Sequence, residues 1–183
     1  MEELKIECLS GCLSRLQVLV YSPQGSLLWE IREIPTTSWL VHFTKFRSAM
    51  ELWLEWNSAD DTMEVIMKRD AGLFRQSYEI FAGGSLLWTI KMAGFFGVRT
   101  WKVLDRHGEI AGQVKFANPF IVGPQNGCVV NARGEVVSEI QWSSLGIFSS
   151  HPKGRVFLFS TESGDRILSV GASLIRLCAI QQR

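Results

Sequence analysis

A seven-residue pattern, G-x-[LIV]-x-x-x-[IV], occurs four times in this 183-residue chain. Gly25 opens Gly-Ser-Leu-Leu-Trp-Glu-Ile and Gly84 opens Gly-Ser-Leu-Leu-Trp-Thr-Ile. Gly108 opens Gly-Glu-Ile-Ala-Gly-Gln-Val and Gly134 opens Gly-Glu-Val-Val-Ser-Glu-Ile. The even offset between the two apolar positions predicts that both lie on one face of a strand. Each glycine follows a strand-like run, at 16–21, 78–81, 100–104 and 128–130, and then a few turn residues. Strand, glycine-closed turn, strand is the signature of a β-hairpin, and glycine suits a turn that needs positive φ. The last three copies start 24 and 26 residues apart, the span of one hairpin with its connection.

Further strands are expected at 39–43, 50–56, 63–67 and 155–159, with a turn at 57–61. Eleven or twelve short strands make a sheet too large to stay open, so it must close or fold over on itself. The exception to this rhythm is 167–180, which is apolar nearly all round. Leu168, Val170, Ala172 and Leu174 alternate like a strand, whereas Ile167, Val170, Leu174, Leu177 and Cys178 also recur at helical spacing. Either form must be buried, and a helix threading a barrel would need this composition.

Composition supports one folded domain over 1–183. Hydrophobic residues make up 46% and charged residues 20%, and no Pro-rich or Ser-rich linker interrupts the chain. A formal charge of +1 argues against nucleic-acid binding driven by bulk charge. The start, Met1-Glu2-Glu3-Leu4-Lys5, does not read as a secretory signal, and no run reaches the roughly 18 apolar residues of a membrane span. Cys8, Cys12, Cys128 and Cys178 form no CxxC pair and have no histidine at zinc-ligand spacing. Free thiols in a reducing, cytoplasmic setting are expected, with Cys8 and Cys12 able to share a helix face and no bound metal.

The central hairpins carry a resemblance. Residues 78–114 read Y-x-I…G-x-L-x-x-x-I…W-x-V-x-D-x-x-G-x-I-x-x-x-V, from Tyr78 and Ile80 through Trp101, Asp105, Gly108, Ile110 and Val114. This alternation is similar to the tubby C-terminal-like superfamily, which includes LURP-one-related proteins and phospholipid scramblases. The resemblance implies a closed antiparallel barrel of about twelve strands around a hydrophobic C-terminal helix, where 167–180 would sit. It also implies phosphoinositide binding, a membrane-linked role or, as for some members of the superfamily, no known activity. Only Asp105 supplies the aspartate of D-x-x-G; Ser22, Phe81 and Asn131 open the other turns. The scramblase branch would bring an acylated cysteine cluster and a calcium-type acidic loop, neither of which is present, so the LURP-one-related branch is nearer.

Signals for catalysis are weak. His42, His107 and His151 are scattered, and there is no G-x-S-x-G, no P-loop and no G-x-G-x-x-G before a helix. Glu51 and Glu55 share a strand face, which reads as a wet surface rather than an acid/base pair. Trp29 and Trp88 occupy matching hairpin positions, and the seven tryptophans read as barrel core in preference to a sugar or apolar-ligand cavity. The expectation is a non-enzymatic chain with no cofactor.

Charge is unevenly distributed. Residues 1–70 hold seven basic and eleven acidic side chains, and 71–183 hold twelve basic and seven acidic. Lys91, Arg99 and Lys102 lie in a stretch with no acid, around Ala93-Gly94-Phe95-Phe96-Gly97. Cations beside aromatics suit an anionic phospholipid surface, so Lys91, Phe95, Phe96, Arg99 and Lys102 are the candidate site of a cytoplasmic, peripherally membrane-associated protein. The alternative is a protein partner engaged by exposed aromatic loops.

Overall fold

The computed structural model describes residues 1–9, 16–34, 52–58, 64–70, 77–93, 100–117, 123–145 and 152–180. The strands are β1 (Glu2–Cys8), β2 (Gln17–Tyr21), β3 (Leu27–Glu33), β4 (Leu52–Ser58), β5 (Val65–Asp70) and β6 (Ser77–Ala82). They continue as β7 (Ser85–Met92), β8 (Thr100–Leu104), β9 (Ile110–Phe116), β10 (Gly123–Asn131), β11 (Val136–Leu145) and β12 (Lys153–Leu158). One helix, α1 (Ser163–Ile180), ends the described chain. Each strand pairs antiparallel with the next, and β1 pairs with β12, so the sheet is a closed twelve-strand barrel.

Closure depends on a strand that lacks the glycine pattern. In β1, Leu4, Ile6 and Cys8 are sealed in the core while Glu3, Lys5 and Glu7 face outward. Cys8 therefore ends a strand, and a helix face shared with Cys12 is excluded; Cys12 lies outside the described residues. Asn57 and Ser58, expected in a turn, extend β4, and Lys153 and Gly154, expected before β12, are inside it. The strand expected at 39–43 falls outside the described residues.

The segment 167–180 is helical. Ser169, Val170, Ala172, Ser173, Leu174, Ile175, Leu177 and Cys178 are all buried, and at 100° per residue they cover every side of the helix. The helix packs on β11 and β12, while at Gly171 it passes so close to β5 and β6 that an added Cβ would lie 2.6 Å from Ile80 Cδ1. Those strands are on opposite sides of the ring, so α1 runs through the lumen. Eight strands leave an interior that side chains alone can fill; twelve leave room for a helix. The helix formers win over the strand alternation because a lumenal strand would have no partner for its backbone groups, whereas a helix satisfies them internally. Its buried serines are satisfied within the helix too: Ser169 Oγ donates to the Asp165 carbonyl at 2.6 Å and Ser173 Oγ to that of Val170 at 2.7 Å. Arg166 ties the first turn to β1 through Glu2, at 2.6 Å.

The four hairpins each close on a glycine of positive φ, and three of them share one turn construction. Gly25, Gly84, Gly108 and Gly134 have φ of 86°, 75°, 82° and 82°. In three of them the residue opening the turn accepts backbone bonds on its side chain: Ser22 Oγ from Ser26, Asp105 Oδ1 from Glu109, and Asn131 Oδ1 from Glu135. The Glu109 and His107 backbone N–H groups hold the Asp105 carboxyl below its ordinary value. The fourth is a two-residue turn, Gly83-Gly84, with Ala82 opposite Ser85 and Phe81 already inside β6.

The expectation that both apolar positions share a face is overturned. Every returning strand carries one extra residue, Leu28, Leu87, Ala111 or Val137, where the register shifts. A β-bulge of this kind breaks the period of two and turns the first apolar residue to the opposite face. Leu27, Ile110 and Val136 are thus exposed, whereas Ile31, Ile90, Val114 and Ile140 are in the core.

Two outcomes follow from this architecture. A chain ending at Asp165 loses Ile167, Leu168, Val170, Leu174, Ile175 and Leu177 from the lumen, each worth roughly 1.5–3 kcal/mol of burial. It is expected to be insoluble or to lack a cooperative thermal transition; a sharp melt of the truncated chain would refute the lumenal helix. Gly108→Val meets no neighbour within 4 Å, yet its φ of 82° should cost about 1–3 kcal/mol in urea unfolding.

Candidate functional site

The hairpins sort the barrel into two ends. The β2–β3, β6–β7, β8–β9 and β10–β11 turns all lie at one end, because alternate connections of an antiparallel meander return to the same rim. Residue Phe159, just past β12, is at that end too and is half-exposed, with its N–H bonded to the Val137 carbonyl. Leu27, Ile110, Val136 and Phe159 therefore form an exposed apolar rim, with Leu86 half-buried among them. Lys91, near the end of β7, and Lys102, near the start of β8, lie toward the opposite end.

Of the five residues expected at the site, two are described. Lys91 and Lys102 are direct cross-strand partners, both exposed on the outer wall, while Ile90, Trp101 and Val103 beside them face the core. Like charges placed opposite each other disfavour the pairing unless both stay in water, as they do here. Phe95, Phe96 and Arg99 lie outside the described residues. The barrel adds a third cation, since Thr100 pairs with Lys115 on β9 and Lys102 with Gln113. Lys115 is exposed on the same wall, diagonal to Lys102. Among the described residues, no carboxylate forms an ion pair with Lys91, Lys102 or Lys115. Lys102 and Lys115 are thirteen positions apart in sequence, and only the β8–β9 register reveals that they are neighbours.

The other candidate carboxylates and tryptophans that are described sit in the core or on the wall of the barrel. Glu55 faces outward opposite Arg32, and Glu51 lies outside the described residues. Trp56, Trp101 and Trp142 are buried in the core, Trp29 packs 5.7 Å from Trp56, and Trp53 lies on the outer wall beneath Lys68. His107 is in its turn, 3.0 Å from Arg106 Nε; His42 and His151 lie outside the described residues. No group of His, Cys, Asp and Glu that could hold a metal occurs among the described residues. No described helix is long and apolar enough to cross a membrane.

Near the C-terminal end of α1, Tyr78 and Cys178 share a buried pocket of the core with Arg69, itself 2% exposed. Burial pushes the Cys178 thiol up to about 12, against the opposing pull of the Arg69 charge, and raises the Tyr78 hydroxyl as well. Cys128, half-buried on β10, is also raised by burial.

No family model matches the chain, and no curated protein or solved structure matches it either.

Thiol labelling follows from these positions. At about pH 8, native Cys8 and Cys178 should react with a disulfide reagent only through unfolding, and Cys128 slowly. Rapid labelling of Cys178 in the native protein, read by peptide mass mapping, would contradict its enclosure in the lumen.

Proposed function

We propose that this chain is a non-enzymatic barrel similar to the tubby C-terminal-like superfamily, nearest its LURP-one-related branch, and that it binds anionic phospholipid head groups at a cytoplasmic membrane surface. The observation that carries the reading is the cluster of Lys91, Lys102 and Lys115 on the outer wall of β7 to β9. Three water-exposed ammonium groups, none in an ion pair with a described carboxylate, concentrate positive charge on this stretch of the wall, with Glu79 diagonal to Lys91 on its far side. Arg99, Phe95 and Phe96 stand between Lys91 and Lys102 in sequence and would extend the same contact. Because α1 occupies the lumen, the wall and rims are the surfaces left for a ligand. Each cation near an anionic leaflet contributes about 1 kcal/mol, so binding is weak and salt-sensitive rather than anchoring.

A second reading rests on the apolar rim. Leu27, Ile110, Val136 and Phe159 recur at one end of the barrel and suit a protein partner. Co-sedimentation with vesicles separates the two. Wild type is expected to pellet with vesicles containing phosphatidylserine or phosphoinositide at low salt and not with neutral ones. The Lys91→Glu/Lys102→Glu/Lys115→Glu variant is expected to stay in the supernatant with an unchanged melting temperature. Wild-type protein that ignores anionic vesicles at low salt would overturn the membrane reading and leave the rim as the better candidate.

A further inference from the structure

A different part of the wall is concave. A half-open groove of about 650 Å³ crosses β1, β12, β11 and β10. The register aligns one outward side chain from each strand across it: Lys5 opposite Arg155, Arg155 opposite Gln141, and Gln141 opposite Asn126. All four are exposed, and the residues flanking them in sequence, such as Leu4, Ile6, Val156 and Trp142, face the core. The row thus has a cationic half on β1 and β12 and a carboxamide half on β11 and β10. One turn of the pleat further along, Lys153 lines the groove and is held by Glu7 at 3.1 Å. Arg155 meets Glu3 at a looser 3.6 Å, and Lys5 forms no ion pair with a described residue. With Glu3 counted beside Glu7, three cations meet two carboxylates and the groove keeps one net positive charge, that of Lys5.

We infer that this groove binds an extended acidic peptide segment, with its carboxylates on Lys5 and Arg155 and its main chain on Gln141 and Asn126. A carboxamide offers both an N–H donor and a carbonyl acceptor, which matches a peptide group and has little to offer a bare phosphate row beyond its donors. A guanidinium presents a fork that fits a carboxylate. Four strands spaced about 4.8 Å apart place the row over some 14 Å, the length of about four extended residues. This site shares no residue with the β7 to β9 lysines, and its occupancy does not depend on lipid binding.

The test is fluorescence anisotropy with fluorescein-labelled hexaglutamate, hexaglutamine as control, and the full chain. Hexaglutamate is expected to bind and hexaglutamine not. Lys5→Gln/Arg155→Gln should weaken binding by about tenfold or more, in line with two lost charge-assisted contacts. Gln141→Leu, which leaves the charge unchanged, should weaken it several-fold, and Asn126→Ala serves as a second neutral variant if Gln141→Leu alters the thermal melt. The Lys91→Glu/Lys102→Glu/Lys115→Glu variant should bind the peptide as wild type does, even where it has lost vesicle binding. Three results would overturn the inference. They are no hexaglutamate binding at low salt, equal loss in the β7 to β9 variant, and displacement of the peptide by inorganic polyphosphate of equal charge as readily as by unlabelled hexaglutamate. The last two would mean that only the general positive field is read.

Discussion

Burial of the helix α1 inside a closed sheet sets the size of the barrel and the role of its wall. A helix that is apolar on every side has no stable place at a surface, and a twelve-strand barrel has no stable interior without something to fill it. Each solves the other's problem. The small residues Ser169, Gly171, Ala172 and Ser173 let the helix approach the wall, and at Gly171 an added Cβ would lie 2.6 Å from Ile80 Cδ1. The Arg166–Glu2 pair joins the helix start to β1, so the last element and the first meet at the seam that closes the ring.

The bulged hairpins determine what the barrel shows to solvent. If the strands kept a strict period of two, the first apolar residue of each pattern would join the second in the core. The inserted residue in each returning strand instead leaves Leu27, Ile110 and Val136 outside and brings Leu28, Leu87, Ala111 and Val137 inward against the core. One rim thereby becomes apolar. Away from that rim the outer wall is polar, with Lys91, Lys102 and Lys115 toward the other end and the Lys5–Arg155–Gln141–Asn126 row at mid-height on another stretch. Both candidate surfaces are built from single residues contributed by several strands, and neither uses the lumen.

The hairpins and their glycines were legible because they are local. A turn that needs positive φ leaves a glycine in the sequence, and the flanking runs are only a few residues away. The strand β1 was not legible in this way: its alternation of Leu4, Ile6 and Cys8 with charged residues is short, and both of its partners, β2 and β12, must be in place before it is recognisable as the closing strand. The Lys91 and Lys102 half of the site could be read from the chain, since one connection joins them. Lys115 and the groove row could not, because their neighbours are set by register between strands.

The all-β class, the four hairpins, the glycines that close them and the burial of 167–180 can be read along the chain, since each follows from local φ requirements or from apolar composition. That this segment is a helix follows from its place in the lumen. The pattern of its side chains fits both periods, and the choice rests on backbone hydrogen bonds, which a lone strand in a lumen could not make and a helix makes within itself. Tertiary structure also decided which apolar residues face out, because one extra residue in a returning strand reverses a face, and the sequence pattern reads the same with the bulge or without it.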